Sequence, residues 1–252
     1  MTTVTERIRT VLSGLTGSQR PTVPQFYITT CGRSGSHWLV HILNDLGITV
    51  VRQDRFRREL IHPSKWKETQ ADGSPFWTHW IAGDALTWDD WSYEWWKDVR
   101  LPVISLLRDP RDVAISVYHY KRTKYRWEGT IEDAIHNVKF VFTRPAIRKL
   151  HMDPAVHQLR YESLKETPVD VLTRLLTFIG VERERATIEA DIEKNSFKMQ
   201  SGGRDAGVEV YVDAEEHQPA KQRKGIIGDW KNYDADWAQL ADCAHYYGYH
   251  TA

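Results

Sequence analysis

The chain has 252 residues, enough for one large domain or two small ones around a substantial core. Lys plus Arg and Asp plus Glu both total 34, so the formal net charge is zero. That balance gives no global electrostatic argument for a nucleic-acid or membrane-surface partner, and any attraction for anions has to be local. The cysteines, Cys31 and Cys243, make neither a disulfide framework nor a zinc spacing, a usage that suits a reducing cytosol. Residues 1–20 are polar with no apolar leader, and no run is long enough to span a bilayer. The expectation is a soluble cytoplasmic protein with no nucleic-acid and no membrane partner.

In chain order, residues 4–15 suit a short surface helix before Pro21 and Pro24. Residues 25–30, β-branched and aromatic, read as a buried strand, and a small-residue loop leads into an apolar helix from Ser36. That helix should stop between Asn44 and Gly47. Residues 48–52 and 76–80 read as strands on either side of a loop marked by Pro63 and residues 71–75. An acidic segment, residues 84–98, follows; Trp66, Trp77, Trp80, Trp88, Trp91, Trp95 and Trp96 fall within one stretch that runs into it. Residues 101–107 are the clearest buried strand, and they run into Asp109 as N-cap, Pro110 at the first helical position and Asp112 in the first turn. Helices are expected over residues 110–120, 131–149 and 168–180, with a strand over 156–161. Residues 198–222 are polar and glycine-bearing, expected as a mobile cap, and a last helix should lie within 234–252, roughly over 236–247. Alternating strands and helices predict one α/β domain with a mostly parallel sheet.

The stretch Cys31-Gly32-Arg33-Ser34-Gly35-Ser36-His37-Trp38 sits between a strand and a helix, the geometry in which backbone N–H groups and a helix N-terminus converge on an anion. Its glycines permit close backbone approach, and Arg33, Ser34 and Ser36 add donors. It is not a Walker A loop, because no Gly-Lys-Ser/Thr follows. Arg33 and Arg108 both follow strands, and ligands of open parallel sheets sit outside the carboxyl ends of the strands. Singly, each arginine is most often a solvated surface residue. Together with Arg223-Lys224-Gly225 and hydroxyls from Ser34, Ser36 and Ser116, they favour a ligand bearing more than one phosphate.

These segments resemble the cytosolic-type sulfotransferases. The stretch from Cys31 to Trp38 looks like their 5′-phosphosulfate loop. Arg108-Asp109-Pro110-Arg111-Asp112-Val113-Ala114-Ile115-Ser116 resembles their 3′-phosphate segment, and Arg223-Lys224-Gly225-Ile226-Ile227-Gly228-Asp229-Trp230-Lys231 their Arg-Lys-Gly signature. Arg160-Tyr161-Glu162-Ser163-Leu164 and Asn195-Ser196-Phe197-Lys198 also look like family positions, so the likeness runs in order over about residues 25–233. It implies a single sulfotransferase domain with a P-loop-like three-layer fold, a central sheet flanked by helices and a core over residues 20–233. The donor it implies is 3′-phosphoadenosine 5′-phosphosulfate, the product being 3′,5′-ADP (PAP).

Carried over by position, Arg33, Ser34, Gly35, Ser36, His37 and Trp38 would hold the 5′-phosphosulfate. Arg108 and Ser116, joined by Arg223, Lys224 and Gly225, would take the 3′-phosphate. Trp38, Tyr161 and Phe197 would border the adenine, since aromatic faces stack a base and arginine suits phosphate, and Ser196 is a further cofactor-binding position. His79 resembles the family's catalytic histidine, a base for the attacking acceptor. Arg33 would neutralise charge in the transition state, and no metal is required. His37, Asp54, Glu59 and His62 are rival bases.

Two departures stand out: Arg33 and Trp77 occupy places where the family usually has lysine, and arginine can stabilise charge but not give up a proton. Trp77, Trp80, Asp54 and His62 would face a small-molecule acceptor, cationic or aromatic, attacked at a hydroxyl or amine. A P-loop-like nucleotide kinase with Asp109 holding a metal is the alternative enzyme, and a non-catalytic nucleotide-binding protein the third reading. Oligomeric state, monomer or homodimer, is left open.

Overall fold

The computed structural model describes residues 25–30, 32–52, 76–79, 102–203, 205–208 and 223–250. Its centre is a five-stranded sheet in the order β2-β3-β1-β4-β5, built from β1 (Tyr27–Thr30), β2 (Val51–Arg52), β3 (Phe76–His79), β4 (Val103–Leu107) and β5 (Val156–Arg160). Every neighbouring pair is parallel. β1 pairs with β3 on one side and β4 on the other, so the strand order reverses beside β1. Ligand sites of open α/β sheets form at such a reversal, outside the carboxyl ends.

Both faces of the sheet are covered, which is why β1 and β4 are buried at every residue. Tyr27, Val103 and Leu107 point to one layer, made with α2 (Pro110–Tyr125), α3 (Ile131–Phe142), α4 (Pro145–Met152) and α9 (Ala241–Tyr246). Ile28, Ile104 and Leu106 point to the other, made with α1 (Ser36–Asp45), α6 (Pro168–Phe178) and α7 (Arg185–Lys194). Two-residue alternation within fully buried strands thus feeds two separate cores.

Most expected elements are present, with instructive differences. The single helix expected over 131–149 is two, α3 and α4. Pro145 has no N–H to give the preceding turn and holds Arg144 extended at φ −62, ψ 133, so it ends one helix and opens the next. The strand expected to include Tyr161 stops at Arg160, because its partner β4 stops at Leu107, which pairs with Arg160. Tyr161 instead begins the short helix α5 (Tyr161–Glu166).

The C-terminal helix expected within 234–252 is shorter and in two parts: a 3-10 turn at Trp237–Leu240, tightened by the Gln239 N–H donating to the Asp236 carbonyl, and then α9. Part of the expected cap is helical, as the single turn α8 (Phe197–Gln200), and residues 209–222 lie outside the described residues. So do the helix expected over 4–15 and the tryptophan-rich, acidic stretch beyond His79. The helix α7 was not foreseen; Ile188 is its one fully buried residue, too little to print a helical period. Among the described residues, no helix is long and apolar enough to cross a membrane.

Candidate functional site

At the end of β1 the chain turns through Arg33 and Gly35, both at positive φ (73 and 91), before α1 begins. A non-glycine residue in that region costs about 1–2 kcal/mol, so Arg33 is held there by its surroundings. Gly35 is needed for two reasons. A Cβ on it would lie 2.5 Å from the Tyr161 ring, and its φ disfavours any L side chain. Ser34 is fully buried and its hydroxyl meets that of Thr30, tying the loop to the strand it leaves. No acidic residue lies in the first turn of α1, so the positive end of the helix dipole is uncompensated there.

The loop after β4 lies beside it. Asp109 caps α2, accepting from the backbone N–H of Arg111 at 2.9 Å, and Pro110 takes the first helical position as expected. The Asp109 carboxylate also accepts from Arg111 Nη2 at 2.7 Å, so it is engaged by the protein itself. Arg108 bridges three segments. Its Nη1 donates to the Arg33 carbonyl at 3.2 Å, its Nη2 to the Ile226 carbonyl at 3.3 Å, and its guanidinium lies 4.5 Å from the centre of the Tyr161 ring.

Asp112, one turn into α2 and 1% exposed, does more than complement the dipole. It accepts from the N–H groups of Gly228 (2.8 Å) and Trp230 (3.1 Å) and pairs with Arg108 at 3.5 Å. This one carboxylate therefore pins the C-terminal basic segment against the β4–α2 turn. Within that segment Asp229, also 1% exposed, pairs with both Arg223 and Lys224, the latter at 3.1 Å. Burial pushes the Asp229 carboxyl up, but hydrogen bonds from Arg223, Asn232 and Lys224 and the Arg223 charge outweigh it, leaving its pKa below the usual value. The Tyr233 hydroxyl receives a hydrogen bond from Arg223 at 3.3 Å and lies 2.8 Å from His119 Nε2 on α2.

Arg33 reaches across to α2. Its Nε donates to Ser116 Oγ at 3.2 Å, and its guanidinium lies 4.6 Å from the Tyr120 ring centre. Burial first, then the Arg108 and Arg223 charges, lower its pKa to about 10, with Tyr120 opposing. An aromatic wall completes the arrangement. Trp38 Nε1 donates to the Asn195 carbonyl at 2.7 Å, and the Trp38 ring meets Tyr161 edge-on at 6.2 Å. The Phe197 ring packs so closely on Gly225 (φ 64) that a Cβ there would sit 2.3 Å away. Ser196 caps α8, accepting from the Met199 N–H.

Arg33, Arg108, Ser116, Tyr161 and the segment from Arg223 to Ile226 are thus one cluster, with Gly35, Trp38 and Phe197 on its aromatic side. Ser36 is buried at the start of α1, and His37 is half-buried beside it. His79 ends β3 in register with Thr30 of β1, which places its backbone at the same carboxyl edge; Trp77 is in register with Ile28. Asp54, Glu59, His62 and Trp80 lie outside the described residues. Sequence reasoning missed what Asp112 and Asp229 do. The sequence holds their signal only as acidic residues embedded in basic segments.

Comparison with known proteins points one way. Residues 93–236 match the family described as Sulfotransferase domain. Sulfotransferase 1A1 of Canis lupus familiaris is 27% identical over 164 residues, 56% of this chain and 55% of that protein. Sulfotransferase 1B1 of Mus musculus is 24% identical over 232 residues, covering 82% of this chain and 76% of that one. The chain spans about half the length of most of the curated relatives it matches. Among solved structures, mouse sulfotransferase SULT7A1 complexed with PAP superposes with a TM-score of 0.63 at 20% identity, covering 88% of this chain and 82% of that one. At these identities the structural likeness establishes the fold, a sheet-and-helix architecture shared along most of the chain.

Proposed function

Because the chain belongs to the sulfotransferase domain family, we propose that it moves a sulfo group from 3′-phosphoadenosine 5′-phosphosulfate to a hydroxyl or amine of a small-molecule acceptor. The observation that carries this reading is the convergence of three basic segments, distant in sequence, at the strand-order reversal beside β1.

The donor set fits such a nucleotide. Arg108 pairs with the buried Asp112, Arg223 and Lys224 pair with the buried Asp229, and Arg33, held by Ser116 and Tyr120, adds a fourth cation to the cluster. Rings of Trp38, Tyr161 and Phe197 supply apolar faces for a base. The two glycines whose places a Cβ would fill, Gly35 and Gly225, keep those rings close to the cationic loops.

In this reading the 5′ end lies on the Arg33–Trp38 loop and the first turn of α1, and Arg108, Ser116, Arg223, Lys224 and Gly225 take the 3′-phosphate. Ser196 borders the base with the three rings. The donor supplies an activated sulfuryl group. Arg33, fixed by Ser116 and Tyr120, neutralises charge that builds on the bridging oxygen as the bond to sulfur breaks. His79, at the carboxyl edge of β3, takes the acceptor's proton as that acceptor attacks in line. Trp77, Trp80, Asp54 and His62 are assigned to the acceptor, which is cationic or aromatic. Phosphoryl transfer from ATP is the weaker reading: the acid it would need for a metal, Asp109, is already held by Arg111.

The test has two parts. Calorimetry should show the chain binding 3′,5′-ADP more tightly than 5′-ADP or ATP. Mass spectrometry of an acceptor panel with the sulfated donor should show an added sulfo group, and amines or guanidinium compounds should compete. Tighter binding of ATP, with phosphate appearing on an acceptor, would overturn the assignment.

A further inference from the structure

On the aromatic side of the site sits a cation that the proposed reaction leaves without a role. Lys165 lies on α5 one helical turn beyond Tyr161, half-buried, with its ammonium 5.7 Å from the centre of the Trp38 ring and 5.9 Å from that of Phe197. Both rings are fixed from behind, Trp38 by the Asn195 carbonyl and Phe197 by its packing on Gly225. Among the described residues no carboxylate pairs with Lys165. The nearest acid in sequence on its inner side, Glu162, has both oxygens engaged, accepting from the Asp109 N–H and the Tyr249 hydroxyl at 3.0 Å each.

A half-desolvated ammonium near two aromatic rings, with no acid paired to it among the described residues, is offset by their electron-rich faces and keeps three N–H donors to offer a ligand. Burial, and to a lesser extent the Arg108 charge, lowers its pKa. The ligand group such a position suits is flat, has a π face and offers an acceptor at its edge. An adenine ring has all three features.

Resting on the nucleotide reading of this site, we propose that Lys165 is a base-reading residue, donating a hydrogen bond to a ring nitrogen of the donor's adenine. The 3′-phosphate is the less suitable partner. Tyr161 is the common neighbour of Arg108 and Trp38, at 4.5 and 6.2 Å, so Lys165 belongs to the ring side of that tyrosine and Arg108 to the phosphate side.

The experiment separates base from phosphate. Binding of 3′,5′-ADP and of methyl ribofuranoside 3,5-bisphosphate, which keeps both phosphates and lacks the base, is measured by calorimetry on the full chain and on Lys165→Met and Lys165→Arg. Lys165→Met should weaken 3′,5′-ADP about 10- to 100-fold, the range for losing a charge-assisted hydrogen bond, and leave the baseless ligand unchanged. Lys165→Arg should recover most of the loss. Removing a half-buried charge that no carboxylate pairs with should not unfold the protein. Should the melting temperature of Lys165→Met nevertheless collapse, the wild type carries the test: it should prefer 3′,5′-ADP to uridine 3′,5′-bisphosphate, and equal affinity for the two would refute the assignment.

Equal losses for both ligands in Lys165→Met would reassign the lysine to phosphate and overturn the proposal, as would no loss for either. Failure of the wild type to bind 3′,5′-ADP would overturn the nucleotide reading together with this one. Normal wild-type binding with an indifferent Lys165 would overturn this one alone.

Discussion

Replacing Asp112 by alanine should loosen the whole site through the backbone. The carboxylate accepts two backbone N–H groups, from Gly228 at 2.8 Å and Trp230 at 3.1 Å, and faces Arg108 at 3.5 Å while 1% exposed. Each charge-assisted bond contributes roughly 1.5–3 kcal/mol, and breaking a buried ion pair costs about 3–5 kcal/mol. These overlap, because one group makes all three contacts, so the expected loss is about 3–5 kcal/mol. For a chain of this size each kcal/mol moves the melting temperature by roughly 2–4 °C, which predicts a drop of about 6–20 °C. Asp112→Asn keeps one acceptor but turns an NH2 group toward a backbone donor, and should lose about half as much. Urea denaturation gives the stability, and 3′,5′-ADP calorimetry on the folded variants reports whether residues 223–230 have lost register. A stability within about 1 kcal/mol of wild type, with unchanged nucleotide affinity, would refute the idea that Asp112 fixes the basic segment.

Three further substitutions probe separate parts of the site. Arg33→Ala and His79→Ala should each lower kcat by about 10²–10³-fold, with 3′,5′-ADP affinity retained in His79→Ala and reduced by a much smaller factor than kcat in Arg33→Ala, measured by sulfo transfer and calorimetry side by side. A near-normal rate in either would reject its role. Gly225→Ala puts a methyl group 2.3 Å from the Phe197 ring at a φ of 64, so it should cost about 1–3 kcal/mol of stability and displace Phe197, weakening 3′,5′-ADP relative to the baseless bisphosphate. Asp229 has a folded-state pKa below its ordinary value, so its contribution to stability is fully present above about pH 4 and is lost as pH falls through the lowered value. Acid titration of Asp229→Asn, followed by circular dichroism, should lack that part of the acid limb; an identical acid transition would show that the ion pairs with Arg223 and Lys224 add no net stability.

The parallel sheet was legible because its signals are local. Buried strands such as residues 103–107 print a largely apolar run, interrupted only by Ser105, and the start of α2 prints its cap, Asp109, and its first-turn Pro110 in adjacent positions. What sequence did not yield depends on partners far along the chain. The end of β5 is set by where β4 stops, the short C-terminal helix by a 3-10 turn before it, and the two-helix form of residues 131–152 by Pro145. The basic segments were recognisable one by one, and their meeting at one ligand was expected from their places after strands and from the resemblance; the strand order supplies the physical reason they meet. The roles of Asp112 and Asp229 were hidden altogether, since an acid among arginines reads as ordinary surface pairing until its burial is known.

Those two aspartates also explain how a chain of zero formal net charge can present a cationic site. Four clustered cations would repel one another and, unpaired, would favour loops that swing into solvent. Asp229 holds Arg223 and Lys224 from below, and Asp112 holds Arg108 while gripping the backbone of residues 228–230. Each carboxylate is almost fully buried, so it holds the cations from the protein side. Removing negative charge at either position would therefore raise the local positive charge yet weaken anion binding, because the cations would lose their common orientation. A purely coulombic account gives the opposite sign. The affinity of Asp229→Asn for 3′,5′-ADP at pH 7 decides between them: weaker binding supports orientation, and tighter binding would mean that charge alone governs the site.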